Sequence, residues 1–168
     1  YLAFLGLYAL VRPRGSPARK ELAEPTVSIV LPTYNEERII RAKLEDLLRL
    51  DYPMQKIELV VVDSSTDETR SLIREHFQDV DAPELVLIEE NERRGLAPAL
   101  NEAYEAAKHD MVVKTDCDSK LTADVLREAA ANLADDEVDA VTGRNVEVLG
   151  GSEVESGYRD VQAHIQQL

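Results

Sequence analysis

The stretch DMVVKTDCDSK, Asp110 to Lys120, decides how the rest of the chain is read. Met111 to Thr115 is mostly apolar or β-branched and predicts a short strand. Asp116 and Asp118 then arrive two positions apart, with the chain's single cysteine, Cys117, between them. Two carboxylates this close repel one another unless a cation neutralises them. A hard divalent ion with oxygen ligands, Mg2+ or Mn2+, fits, and such an ion can bridge to a diphosphate. The plainer alternative is a solvated acidic turn.

Working outward, strands and helices alternate. VSIVL (27–31), IELVVVD (57–63) and ELVLIEE (84–90) are apolar, β-branched runs that predict three more strands, and VDAVTG (138–143) predicts a fifth. Between them, Ile39, Ile40, Leu44, Leu47 and Leu48 recur at helical spacing, with Asn35 as the expected cap. Thr66 is expected to cap a helix holding Leu72, Ile73 and Phe77. Further helices are expected from Leu96 to Lys108, with Pro98 tolerable in the first turn, and from Thr122 to Leu133. Residues 153–168 carry another helical pattern. This order implies right-handed βαβ units and a mainly parallel sheet. Ligands of such sheets bind beyond the carboxyl ends of the strands. That rule selects PTYNE, DSSTDE, NERRG and TDCDS.

The chain has 168 residues and a net charge of −14, enough length for one α/β domain. None of the 33 acidic residues falls in the first twenty positions, which hold Arg12, Arg14, Arg19 and Lys20. The acidic remainder repels nucleic acid, and no basic stripe offsets it. One cysteine excludes an intrachain disulfide and a cysteine metal site. Tyr1 to Val11 is free of charge but shorter than the ~20 apolar residues a spanning helix needs. It is expected to be the back half of a transmembrane helix, with the basic residues after it on the cytoplasmic side of the cell membrane. A clipped signal core and an interfacial anchor are the other readings of this run. Residues 12–26, with three prolines and a Gly-Ser pair, read as a linker, and 27–168 as one domain cut short at its carboxyl end.

Asp63 ends its strand and is followed by Ser64, Ser65 and Thr66. It could accept a proton from a base or ribose, or only cap the next helix. Arg93-Arg94-Gly95 places positive charge before a helix whose N-terminus also favours anions, though two surface arginines would look the same. Cys117 has no histidine placed as a partner and reads as a small turn-filling residue, and His76, His109 and His164 show no ligand spacing.

Four segments, VSIVLPTYNEE (27–37), LDYPMQKIELVVVDSSTDET (50–69), RRGLAPALNEA (93–103) and KTDCDS (114–119), together resemble the family 2 glycosyltransferases. The resemblance covers roughly Val27 to Gly143. It implies the GT-A fold, a Rossmann-like α/β architecture with a mainly parallel sheet and helices on both faces. It implies a donor site for a nucleoside diphosphate sugar, most commonly a UDP-sugar. Pro32, Thr33 and Glu36 would lie near base and ribose, Asp63 would read the base, and Arg94 would approach the diphosphate. Asp116 and Asp118 match the D-x-D pair, the second as metal ligand and the first reaching ribose or metal.

The LDYP stretch and the N-terminus are similar to membrane-embedded cellulose, chitin and hyaluronan synthases. Two departures weaken a processive assignment: Ser64 where a second Asp is common, and Leu96 where those synthases carry lysine. Inverting members use a carboxylate base, often in an E-D pair. Glu147, Glu153 and Glu155 form no such pair, so the base is expected beyond Leu168. The resulting expectation is metal-dependent, inverting transfer to a polysaccharide or lipid acceptor. A polyprenyl-phosphate sugar transferase and a non-catalytic nucleotide-binding module are the rivals. A nucleotidyltransferase would need a glycine-rich loop near its first strand, and PTYNEE is not one.

Overall fold

The computed structural model describes residues 19–143 and Leu149. The apolar run at 1–11, most of the linker, the glutamates at 147, 153 and 155 and the pattern at 153–168 lie outside the described residues.

Four strands form one parallel sheet: β1 (Val27–Thr33), β2 (Ile57–Asp63), β3 (Glu84–Glu89) and β4 (Met111–Lys114), in the order β3-β2-β1-β4. Val27 lies opposite both Ile57 and Met111, and Thr33 lies opposite Asp63, so the strands end along one rim. The chain builds outward from β1 through β2 to β3. It then returns to the other side of β1 for β4. The order therefore reverses between β1 and β4, the place where such sheets open a crevice.

Period-two alternation decides which helices cover which face. Val27, Ile29 and Leu31 of β1 and Ile57, Leu59 and Val61 of β2 point one way. They meet Ile40, Leu44 and Leu47 of α1 (Ile40–Leu48), Ile73 of α2 (Thr69–Phe77) and Leu126 and Ala130 of α4 (Val125–Leu133). Val30, Val60 and Val62 point the other way, onto Ala99 and Ala103 of α3 (Leu96–Ala106). Each large apolar side chain buried here contributes about 1.5–3 kcal/mol in transfer terms. All seven residues of β2 are buried, as a central strand with helices on both faces requires.

Three local expectations are corrected. Residues 138–143 form no strand: the Val138 N–H turns back to the Asp135 carbonyl, and 139–143 are exposed without ladder bonds. A strand needs a paired neighbour, and here a groove of about 1160 Å³ separates β4 from Ala140 and Val141. Asn35 does not cap α1. It adopts φ 56°, and its Oδ1 accepts the Thr66 N–H at 2.9 Å. Thr66 is thereby engaged by Asn35, and the α2 first turn is served by Asp67, whose Oδ1 accepts the Thr69 N–H. α4 begins at Val125 rather than at Thr122, after a turn closed by its N–H on the Thr122 carbonyl. Among the described residues, no helix is long and apolar enough to cross a membrane.

Candidate functional site

A cleft of about 380 Å³ opens at the switch between β1 and β4. Pro32, Thr33, Tyr34 and Glu36 line it from the end of β1, and Asp116, Cys117, Asp118 and Ser119 from the end of β4. Ser64, Arg93, Gly95 and Leu96 close the remaining sides. Gly95 holds φ 103°, a conformation that side chains resist, and it turns the chain directly into α3. The N-terminus of α3, with its unpaired N–H groups, therefore faces the cleft beside Arg93.

The loops after β1 and β2 are stitched together. The Asn35 N–H donates to Ser65 Oγ at 2.8 Å, the Glu36 N–H to Thr69 Oγ1 at 2.8 Å, and the Glu37 N–H to Asp67 Oδ2 at 3.2 Å. In return Glu37 accepts the Glu68 N–H at 3.4 Å. This reciprocal pairing holds Tyr34 and Glu36 on the cleft wall. The Arg93 guanidinium stacks 4.0 Å from the Tyr34 ring centre, forming a flat cationic surface.

Negative charge gathers in the same cleft, on Glu36, Asp116 and Asp118. Burial pushes Glu36 above the ordinary carboxylate value, and the charges of Asp118 and Asp67 push it further. Asp116 is half-exposed and accepts the Lys114 ammonium on both oxygens, at 2.6 and 2.5 Å. Cys117 points inward, and burial, reinforced by Glu36, raises its thiol to about 12. It is a neutral thiol at physiological pH, in keeping with a turn-filling role.

Two of the residues singled out from sequence lie off the cleft wall. Asp63 is fully buried beneath it. Its carboxylate accepts Thr33 Oγ1 at 2.7 Å, Ser65 Oγ at 2.6 Å, the Ser65 N–H at 3.3 Å and Arg70 Nε at 2.8 Å. Arg94 turns away to Glu90 (2.7 Å) and to Glu102. Arg93 takes the cleft position; nothing in a run of two arginines marks which one turns inward. Lys43 was also unmarked as a site residue. It sits three residues after Ile40 and four before Leu47, on the apolar stripe of α1, which is the one signal of its burial.

The model for glycosyl transferase family 2 matches residues 28–161. The chain belongs to this family. Its described part also superposes on solved members with the GT-A fold. A mannosyltransferase from Pyrobaculum calidifontis, in complex with GDP-Man and Mn2+, is 39% identical with a TM-score of 0.70, covering 80% of this chain and 39% of that one. Staphylococcus aureus TarS residues 1–349, in complex with UDP-GlcNAc, is 30% identical with a TM-score of 0.60, covering 72% and 36%. The beta-monoglucosyldiacylglycerol synthase of Nostoc is 27% identical over 83% of this chain and 31% of its own. The chain thus spans between about a quarter and two fifths of the relatives it matches.

Proposed function

We propose that the cleft between β1 and β4 binds the nucleoside diphosphate part of a sugar donor, and that Asp118 and Asp116 hold a Mg2+ or Mn2+ ion against the diphosphate. One observation carries this reading: Glu36, Asp116 and Asp118 converge on a single cleft at the rim where the strand order reverses. Burial first, and then the charges of Asp118 and Asp67, raise the Glu36 carboxyl, so a cation bound beside it would favour its ionised form. Among the described residues, no three histidine, cysteine or acidic side chains are grouped closely enough to hold an ion alone. That donor set suits an ion that takes one or two carboxylates and completes its shell with phosphate oxygens and water. When bound, such an ion would offset charge on the departing nucleoside diphosphate.

The chain's own residues would do the rest. Tyr34 and Arg93 offer a flat surface for the base. Thr33 and Ser64 supply hydroxyls, with Asp63 holding Thr33 in place from below. Pro32 and Glu36 shape the ribose end, and Arg93 with the α3 N-terminus faces the phosphates. Arg94 reaches the donor only by leaving its two glutamates.

The transfer inverts the anomeric centre, using a carboxylate base from elsewhere in the full protein. The acceptor is a polysaccharide or a lipid, presented at the cytoplasmic face of a membrane. Two relatives bear on the acceptor: TarS of S. aureus is named for a polyol-phosphate polymer, poly(ribitol-phosphate), and the Nostoc protein for a diacylglycerol lipid, which supports a polymer or a lipid acceptor. A guanine nucleotide donor is the second reading, favoured by the P. calidifontis neighbour. Calorimetric titration with UDP and GDP, with and without Mn2+, tests both. One nucleotide should bind at least about ten times more tightly with the metal, and the Asp118→Ala variant should lose that gain. Equal affinity with and without Mn2+ for both nucleotides would overturn the reading.

A further inference from the structure

The largest fully buried side chain among the described residues belongs to a lysine, Lys43 of α1. A buried ammonium is costly unless acceptors surround it. Lys43 Nζ donates to Thr115 Oγ1 at 2.9 Å and to the Ser119 carbonyl oxygen at 2.5 Å, and Asp46 Oδ2 lies 3.8 Å away. Asp46, also buried, accepts the Leu121 N–H at 3.0 Å. One turn of α1 therefore grips the β4 loop at 115, 119 and 121, on both sides of Asp116 and Asp118.

We propose that Lys43 is a positioning residue for the aspartate pair: it clamps the two ends of the 115–119 turn so that both carboxylates face the cleft and Cys117 faces the core. The assignment of metal and diphosphate to that pair rests on the reading above; the clamp itself does not. Geometry favours a positioning role over a packing role. A core-filling residue at this place on the α1 stripe would be apolar, like Ile40, Leu44 and Leu47 beside it. The ammonium also has its nearest acceptors on the loop that arrives 72 and 76 residues later, rather than on its own helix. Burial lowers the Lys43 pKa, while Asp46 on its own helix, and then Asp116 and Asp118 on the loop, draw it back up.

The test uses the chain's only cysteine as a reporter, in the full chain. Lys43→Met removes the charge and both hydrogen bonds with little change in volume. Thr115→Val removes one acceptor, and Thr115→Ser retains it; this pair decides the matter if Lys43→Met fails to fold. Two readouts are taken: the labelling rate of Cys117 by an aromatic disulfide reagent, and the ratio of nucleotide affinity with and without Mn2+. Labelling should rise at least about ten-fold in Thr115→Val relative to Thr115→Ser, as expected for a locally opened turn. The manganese gain should fall roughly ten-fold or more in Lys43→Met or Thr115→Val, while metal-free affinity moves less than about two-fold. Folded variants that label at the Thr115→Ser rate and keep the full manganese gain would overturn the proposal. If the unaltered protein shows no manganese gain, the metal reading fails, and the labelling rates alone still decide the clamp.

Discussion

The rims above β2 and above β4 both carry aspartates, and the fold treats them in opposite ways. Asp63, above β2, is fully buried and accepts four hydrogen bonds from Thr33, Ser65 and Arg70. Asp116 and Asp118, above β4, line an open cleft that a third carboxylate, Glu36, also faces. A carboxylate whose donors are all internal serves the fold, because its charge is already compensated. Asp116 also has an internal partner, Lys114, but it and Asp118 stand on an open cleft wall where Asp118 raises the Glu36 pKa, a setting suited to an external cation. The difference separates residues that build the rim from residues that use it.

Removing the two kinds of aspartate should therefore break different properties. Asp63→Ala leaves the Thr33 and Ser65 hydroxyls without their acceptor and takes from Arg70 one of its two carboxylates, Glu89 remaining at 3.1 Å, and should destabilise the protein by roughly 1–3 kcal/mol in denaturant unfolding. A variant of unchanged stability with weakened nucleotide binding would erase the contrast. Asp118→Ala should leave the unfolding midpoint near that of the parent. Its Mn2+-dependent gain in nucleotide affinity should disappear, a loss of at least about ten-fold. Asn35→Ala loses the stitch to Thr66 and should cost about 1 kcal/mol, read from the same unfolding curves. The two arginines sharpen the picture at the smallest scale. Arg93→Ala should weaken nucleotide binding several-fold, in line with the ~0.5–1 kcal/mol of a stacked cation. Arg94→Ala, facing Glu90 and Glu102, should change it less than about two-fold.

Much of the fold was legible because its signals are local. The β-branched runs at Val27, Ile57, Glu84 and Met111 mark the four strands of the described residues, and their alternation with helical stripes specifies a parallel sheet. The four loops picked out by the strand-end rule supply every residue lining the cleft except Leu96 and Ala99. What escaped was long-range. Asn35 and Thr66 look like helix caps in their own segments, yet each meets the other across 31 positions. Lys43 looks like one more charged residue on an amphipathic helix until β4 brings Thr115 and Ser119 beside it. The run at 138–143 has the composition of a strand but no ladder partner, and composition alone does not supply one.

The central claim is that the carboxylates above β4 receive a divalent cation together with a diphosphate. It is tested most directly by crystals of the full-length protein grown with Mn2+ and the nucleotide it binds, using anomalous scattering to locate the metal. The account predicts a manganese peak in coordination contact with Asp118 and with the nucleotide's phosphate oxygens. An ordered nucleotide in the cleft with no manganese beside Asp116 or Asp118 would contradict it.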